Sequence, residues 1–279
     1  MDSTLRNLTV AGIALLLVQG SLLRRVHHDA YKQIAQTFQH TGSLQVKVKP
    51  SGWFGLEANR FSCVSIEGSG VVMNTFPLSV APRRGWKGYI RQLHIDLTDF
   101  TLSGLDIHRF QTIIPSISYD LSSAMYKGSL EPRRAGIGNA TVVILPHSLE
   151  SFITKKYGKF LSNPRVELRN GSMIVDGYLN MFGISEKVRA KGNLVPIEGR
   201  YAELTVSKME LNGKELNIAQ ADALIQRINP LLDTKLDIGI DRFFYMTNIT
   251  IQEDQLTISG DCTLPGSTET LFQKEELKR

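Results

Sequence analysis

Apolar positions recur at helical spacing twice in the second half of the chain, and between those stretches the period changes to two. From Pro146 to Leu161, the residues Leu149, Phe152, Ile153, Tyr157, Phe160 and Leu161 share one face, while Lys155, Lys156 and Lys159 fall mainly on the other; this predicts an amphipathic helix. Pro146 suits its first turn, where a missing N–H costs nothing, and Pro164 lies just past its end. Val166 and Leu168 then lead into Asn170-Gly171, a dipeptide suited to the two positive φ angles of a tight hairpin, and Met173 to Leu179 returns. Ile184, Val188, Ala190 and Leu194 read as another strand. Tyr201 to Leu211 reads as the next, with a change of phase between Val206 and Met209, and Asn212-Gly213 closes a further turn. Neighbouring strands in sequence are expected to pair as a meander.

The second helix is predicted over Ala219 to Leu232, with Ala221, Leu224, Ile225, Ile228, Leu231 and Leu232 on one face; Pro230 should kink or end it. Asn248 to Gln252, a turn at Glu253-Asp254 and Leu256 to Asp261 form a last hairpin. Toward the N-terminus, Val26 to Gln39 has helical spacing and Leu44, Val46 and Val48 alternate with polar residues as a half-buried strand. This helix-then-strands order over 26–107 echoes that over 146–211. Strands are also predicted at Phe61 to Ile66, Gly70 to Met73, Tyr89 to Leu97 and Asp99 to Leu105. Phe110 to Tyr126 fits strand or helix, with Pro115 arguing against an unbroken helix.

The run from the first strong helix through Asn-Pro-Arg-Val-Glu-Leu at 163–168, the Asn-Gly turn, Arg-Ile-Asn-Pro-Leu-Leu at 227–232 and Leu-Thr-Ile-Ser-Gly at 256–260 resembles the bacterial LmeA-like phospholipid-binding family. That family is itself similar in shape to tubular lipid-binding domains, and the resemblance spans residues 26 to 262. It implies an α+β fold, a long curved antiparallel sheet wrapped around amphipathic helices, that binds phospholipid in an apolar groove within the cell envelope. It carries over no catalytic residue.

Leu8 to Leu23 is uncharged and mostly apolar, and is shorter than the ~20 residues that span a bilayer comfortably. It reads as an export signal or a short anchor, although the positive charge is heavier after it (Arg24, Arg25, Lys32) than before, the wrong asymmetry for export. A helix docked on the protein body is the third reading. The expected organisation is a signal peptide or anchor over 1–25, a lipid-binding domain over 26–264 with two similar halves near 26–140 and 141–264, and a polar tail over 265–279.

Net charge is +5, which favours an anionic partner: a membrane surface or phospholipid, or nucleic acid. Nucleic acid is set aside, since no recognition-helix, zinc-spacing or aromatic RNA-binding motif is present. Arg83, Arg84, Trp86 and Lys87, in a loop bounded by Pro and Gly, have the composition of an interfacial anchor or of an ordinary solvated loop. The histidines show no metal-ligand spacing, and His147-Ser148 lacks the elbow of a hydrolase. No cofactor is expected. Cys63 and Cys262 are the only cysteines; they pair if exported or remain buried thiols. The reading is noncatalytic lipid binding at an extracytoplasmic membrane. Phe152, Ile153, Phe160, Leu224, Ile225 and Ile228 are the candidate lining, and Lys155, Lys156 and Lys159 the candidate headgroup contacts. The alternative is an envelope assembly factor whose apolar faces are all core and whose sheet docks another protein.

Overall fold

The computed structural model describes residues 42–51, 60–73, 86–123, 131–181, 184–240 and 243–265, with Tyr31 and Ala35 as isolated points. The apolar segment 8–23, nearly all of the predicted helix over 26–39, Arg83, Arg84 and the tail beyond 265 lie outside these residues.

Strand, not helix, dominates: 65% of the described residues are in strands and 13% are helical, arranged as two sheets. The expected single sheet wrapped around helices is therefore wrong. The first sheet contains β1 (Ser43–Pro50), β2 (Arg60–Ser69), β3 (Val72–Met73), β4 (Lys87–Leu102), β5 (Leu105–Asp120), β6 (Pro132–Arg134) and β7 (Gly138–Ile144), joined by β14 (Phe244–Gln252) and β15 (Gln255–Cys262). The second contains β8 (Leu161–Arg169), β9 (Ser172–Met181), β10 (Ile184–Ile197), β11 (Tyr201–Leu211), β12 (Lys214–Glu215) and β13 (Leu232–Asp233). Among the described residues two helices, α1 (Pro146–Tyr157) and α2 (Ile218–Ile225), lie against the sheets: α1 on β8 and β5, α2 on β11. They cover apolar strand faces and are not enclosed by them.

The second sheet is the expected meander, in the order β12-β11-β10-β9-β8. Asn170 and Gly171 (φ 51° and 71°) and Asn212 and Gly213 (φ 49° and 76°) make its tight turns. The phase change in β11 is a bulge, since Lys191 pairs with Lys208 and Gly192 with Val206, leaving Ser207 unmatched. The first sheet is not a meander. Its order is β1-β2-β4-β5-β7-β15-β14, with β2 and β4 parallel, and the closing hairpin sits beside β7.

Three local departures have physical causes. The two strands predicted on either side of Thr98 are one 16-residue strand, β4. Asp99 takes a positive φ of 47° there, and the inward set moves from Leu93, Ile95 and Leu97 to Phe100 and Leu102. Pro115 is tolerated within β5 because it falls in the gap between β7, which pairs with Arg109–Ile113, and β6, which pairs with Ser118–Tyr119. The first strong helix stops at Tyr157, and Pro164 instead occupies a bulge in β8, the last strand of its sheet, next to Asn163 at φ 50°.

The two sheets share one continuous apolar core from Val46 to Leu264. Where they meet, the Met246 N–H donates to the Gly199 carbonyl at 2.7 Å and the Asp254 N–H to that of Leu168 at 3.2 Å.

Candidate functional site

Among the described residues, narrow apolar cavities lie against each of the two sheets. The first lies on the inward face of the long β4–β5 hairpin, where Leu97, Phe100, Leu102, Leu105, Ile107 and Phe110 meet Val142 and Ile144 of β7 and Ile258 and Cys262 of β15. These side chains converge because period-two alternation sends every second residue inward. The opposite wall belongs to neither sheet's main path. After α2 the chain crosses the cavity as a strap, residues 229–240, which contributes Leu232, Thr234, Ile238 and Ile240; Phe243 completes it. The cavity has a volume of about 30 Å³, room for a water or two, against the ~300 Å³ or more of a pocket that holds a drug-sized ligand.

Polar and charged groups hold the strap in place. The Asn229 side chain exchanges two hydrogen bonds with the Leu204 backbone, at 2.9 and 3.0 Å. Leu232 and Asp233 pair briefly with Ala202 and Tyr201. The carboxylate of Asp233, 6% exposed, accepts from Arg200 Nε at 2.9 Å and Nη2 at 2.8 Å, and from the N–H groups of Lys235 and Leu236. Burial alone would raise this carboxyl's pKa, but the Arg200 and backbone hydrogen bonds and the Arg200 charge outweigh it and hold the group below the usual carboxylate range. From α1, Lys156 donates to Asp237 at 2.6 Å and to the carbonyls of Pro230 and Leu231, and Tyr157 donates to Pro230 at 2.7 Å. Burial would lower the Lys156 pKa, yet contacts with Asp237 and Tyr157 more than offset it and raise it. Asp237 also accepts from the Asp233 N–H, which links the two ion pairs. Ser103, at the β4–β5 turn, donates to the Ile238 carbonyl at 3.4 Å.

The second cavity, again about 30 Å³, lies between α2 and the inward face of the second sheet. It brings together four of the six residues expected to line a groove, Phe160, Leu224, Ile225 and Ile228, with Leu161, Val175, Leu179 and Leu204 among the strand residues opposite. The other two, Phe152 and Ile153, are buried on the inner face of α1 but line neither cavity. The second helix ends at Ile225, short of Pro230. Leu231 and Leu232 keep their apolar role in the strap and not on a helix, because an extended segment can also place them against the core.

The expected headgroup residues separate. Lys156 is not available to a headgroup, since its ammonium is taken up by the strap. Lys155 and Lys159 are exposed, and Lys155 Nζ lies beside Gly104 at the β4–β5 turn. Trp86 is 70% exposed and precedes Lys87 at the far end of β4, some 50 Å from that turn at ~3.3 Å per residue. Cys63 and Cys262 are both free. They sit on β2 and β15, four strand spacings apart in the sheet order, or ~19 Å, which excludes a disulfide. Burial pushes the Cys262 thiol up to about 12.

Sequence reasoning missed the cavity under the strap, although its wall residues alternate visibly along β4 and β5. Nothing local in the sequence marks the partnership of Arg200 with Asp233 or of Lys156 with Asp237. Among the described residues no group of three or more histidines, cysteines and carboxylates could hold a metal ion, and no helix is long and apolar enough to cross a membrane. Comparison with known protein families, with curated proteins and with solved structures returned no match.

Proposed function

We propose that the protein is a noncatalytic phospholipid binder whose acyl-chain site is the apolar cavity under the strap, opened when the strap moves aside. One observation carries this reading: a continuous apolar wall from strands of the first sheet is covered by a segment outside the sheets' main path that is tied down by two linked ion pairs. Phospholipid, as the class of lipid, is the expectation drawn from the sequence resemblance to the LmeA-like family. Acyl chains gain ~0.8 kcal/mol per buried CH₂ relative to water but little relative to a bilayer, so such a site suits carrying or presenting lipid. A second reading, an assembly factor with a dry core, is favoured by the small volume of both closed cavities. Native mass spectrometry of the full chain after mild extraction separates the two. Copurifying phospholipid supports the first, and its consistent absence favours the second.

A further inference from the structure

The strap covers the cavity, and its turn also presents an apolar side chain to solvent. Leu236 is 78% exposed and is held outward, because its own N–H and that of Lys235 are fixed by Asp233. Cations lie on the strap and on the elements that contact it. Lys155 lies over the β4–β5 turn, Lys159 follows α1, Arg227 stacks at 5.8 Å over Phe160, and Lys235 adjoins Leu236. The strap's own carboxylates, Asp233 and Asp237, are committed to Arg200 and Lys156; Glu198, in the β10–β11 turn, and Asp106, beside the β4–β5 turn, are exposed acids on neighbouring elements. Ile197, 37% exposed, precedes it beside the strap's pairing with Tyr201.

We propose that this end of the molecule docks on an anionic phospholipid bilayer. Leu236 enters the interface, while Lys155 and Lys159 meet lipid phosphates. The proposal rests on the lipid-binding reading, and it places the cavity's cover between the bilayer and the cavity itself. A single exposed leucine is ordinary on a protein surface. What distinguishes Leu236 is that its segment covers the cavity and is held by the C-terminal end of α1, which with the turn after it carries the exposed Lys155 and Lys159. Each basic residue near an anionic surface is worth roughly fivefold in binding, so the two together give about twenty-five-fold, screened by salt.

The test is flotation of the full chain with vesicles of phosphatidylcholine alone and of phosphatidylcholine mixed with phosphatidylglycerol. Zwitterionic vesicles report whatever the N-terminal apolar segment contributes. The salt-sensitive increment on anionic vesicles reports the docking surface. Leu236→Glu and the pair Lys155→Glu and Lys159→Glu should each reduce that increment at least tenfold without moving the melting temperature. Leu236→Ser, which adds no charge, keeps the test open should glutamate disturb the turn. Trp86→Glu, at the opposite end of β4, should leave the increment intact. An increment unchanged in the Leu236 and lysine variants, or lost only in the Trp86 variant, overturns the proposal. Absence of copurifying phospholipid from a wild-type protein that still shows the increment would remove the cavity reading and leave the docking surface standing.

Discussion

Replacing Asp233 by Asn isolates the contribution of the strap's principal ion pair. The substitution keeps one oxygen as the acceptor for the Lys235 and Leu236 N–H groups, and removes both the charge and the second acceptor that Arg200 Nη2 uses. Breaking a fully buried pair from one side costs ~3–5 kcal/mol because the partner is left uncompensated. Here Asp233 is 6% exposed but Arg200 is 28% exposed, so water takes up part of the loss, and about 2–3 kcal/mol is expected. For a chain of this size that lowers the melting temperature by roughly 5–10 °C. A double-mutant cycle with Arg200→Met should return a coupling of ~1–2 kcal/mol. The pH dependence has a definite sign. The Asp233 carboxyl is held below its unfolded-state value of ~3.9, so its contribution is fully present above that pH and is lost as pH falls through the folded-state value. Wild type and Asp233→Asn should therefore converge in stability below about pH 4. Denaturant unfolding across this range measures both effects. A cost below about 0.5 kcal/mol at neutral pH, the level of an exposed pair, would refute the claim that this pair fixes the strap.

Two glycines at similar φ should respond differently to alanine. Gly171→Ala meets open space and should cost ~1 kcal/mol from its φ of 71° alone, whereas Gly199→Ala, at 64°, would also drive its methyl into the Tyr245 ring and should cost on the order of 3 kcal/mol in chemical denaturation. Native protein at pH 8 should take up maleimide at Cys63 only, with Cys262 labelled after unfolding; rapid native labelling of Cys262 would contradict its burial and raised pKa. Ile225→Asp should abolish folding by circular dichroism, because Ile225 is 5% exposed beside a cavity without room to hydrate a carboxylate. Ile225→Trp should cost ~1–3 kcal/mol by overpacking yet leave phospholipid binding unchanged, since that cavity shares no lining residue with the one under the strap. Loss of bound lipid in the folded tryptophan variant would move the acyl site to α2.

What was legible in the chain was local. The Asn-Gly dipeptides mark their turns because few other pairs adopt two successive positive φ angles, and the slip at Ser207 is visible because alternation restarts out of step. The inner face of α1 is readable from spacing alone. The fold class was not. A face such as that of Leu224, Ile225 and Ile228 looks the same whether strands wrap around its helix or the helix lies as a short cover on a sheet. The parallel pairing of β2 with β4, and the insertion of β15 between β7 and β14, are choices among strands with equivalent patterns. The strap was misread for a related reason: Leu231 and Leu232 continue a helical spacing that the backbone abandons after Ile225. Lys156 was misassigned because sequence places a lysine on the polar side of a helix but cannot show that Asp237, from a distant segment, comes to meet it.

The use of ion pairs to fasten an apolar cover has an energetic logic. Buried charge pairs are often no more stabilising than well-packed apolar residues of the same size, so maximal stability does not require them here. What they change is the cost of release. When the strap lifts, Arg200, Lys156, Asp233 and Asp237 regain water, and the desolvation they suffered on closing is returned. Leu232, Ile238 and Ile240 lose their burial instead, at ~1.5–3 kcal/mol for each side chain exposed to water, which favours the closed cavity in solution. Against a bilayer that second cost shrinks, because the side chains move from one apolar medium to another. Anionic headgroups can also replace Asp233 and Asp237 as partners for the two cations. On the proposed reading the strap therefore opens where lipid is present and stays closed where it is not, and no separate signal is needed to couple opening to the membrane.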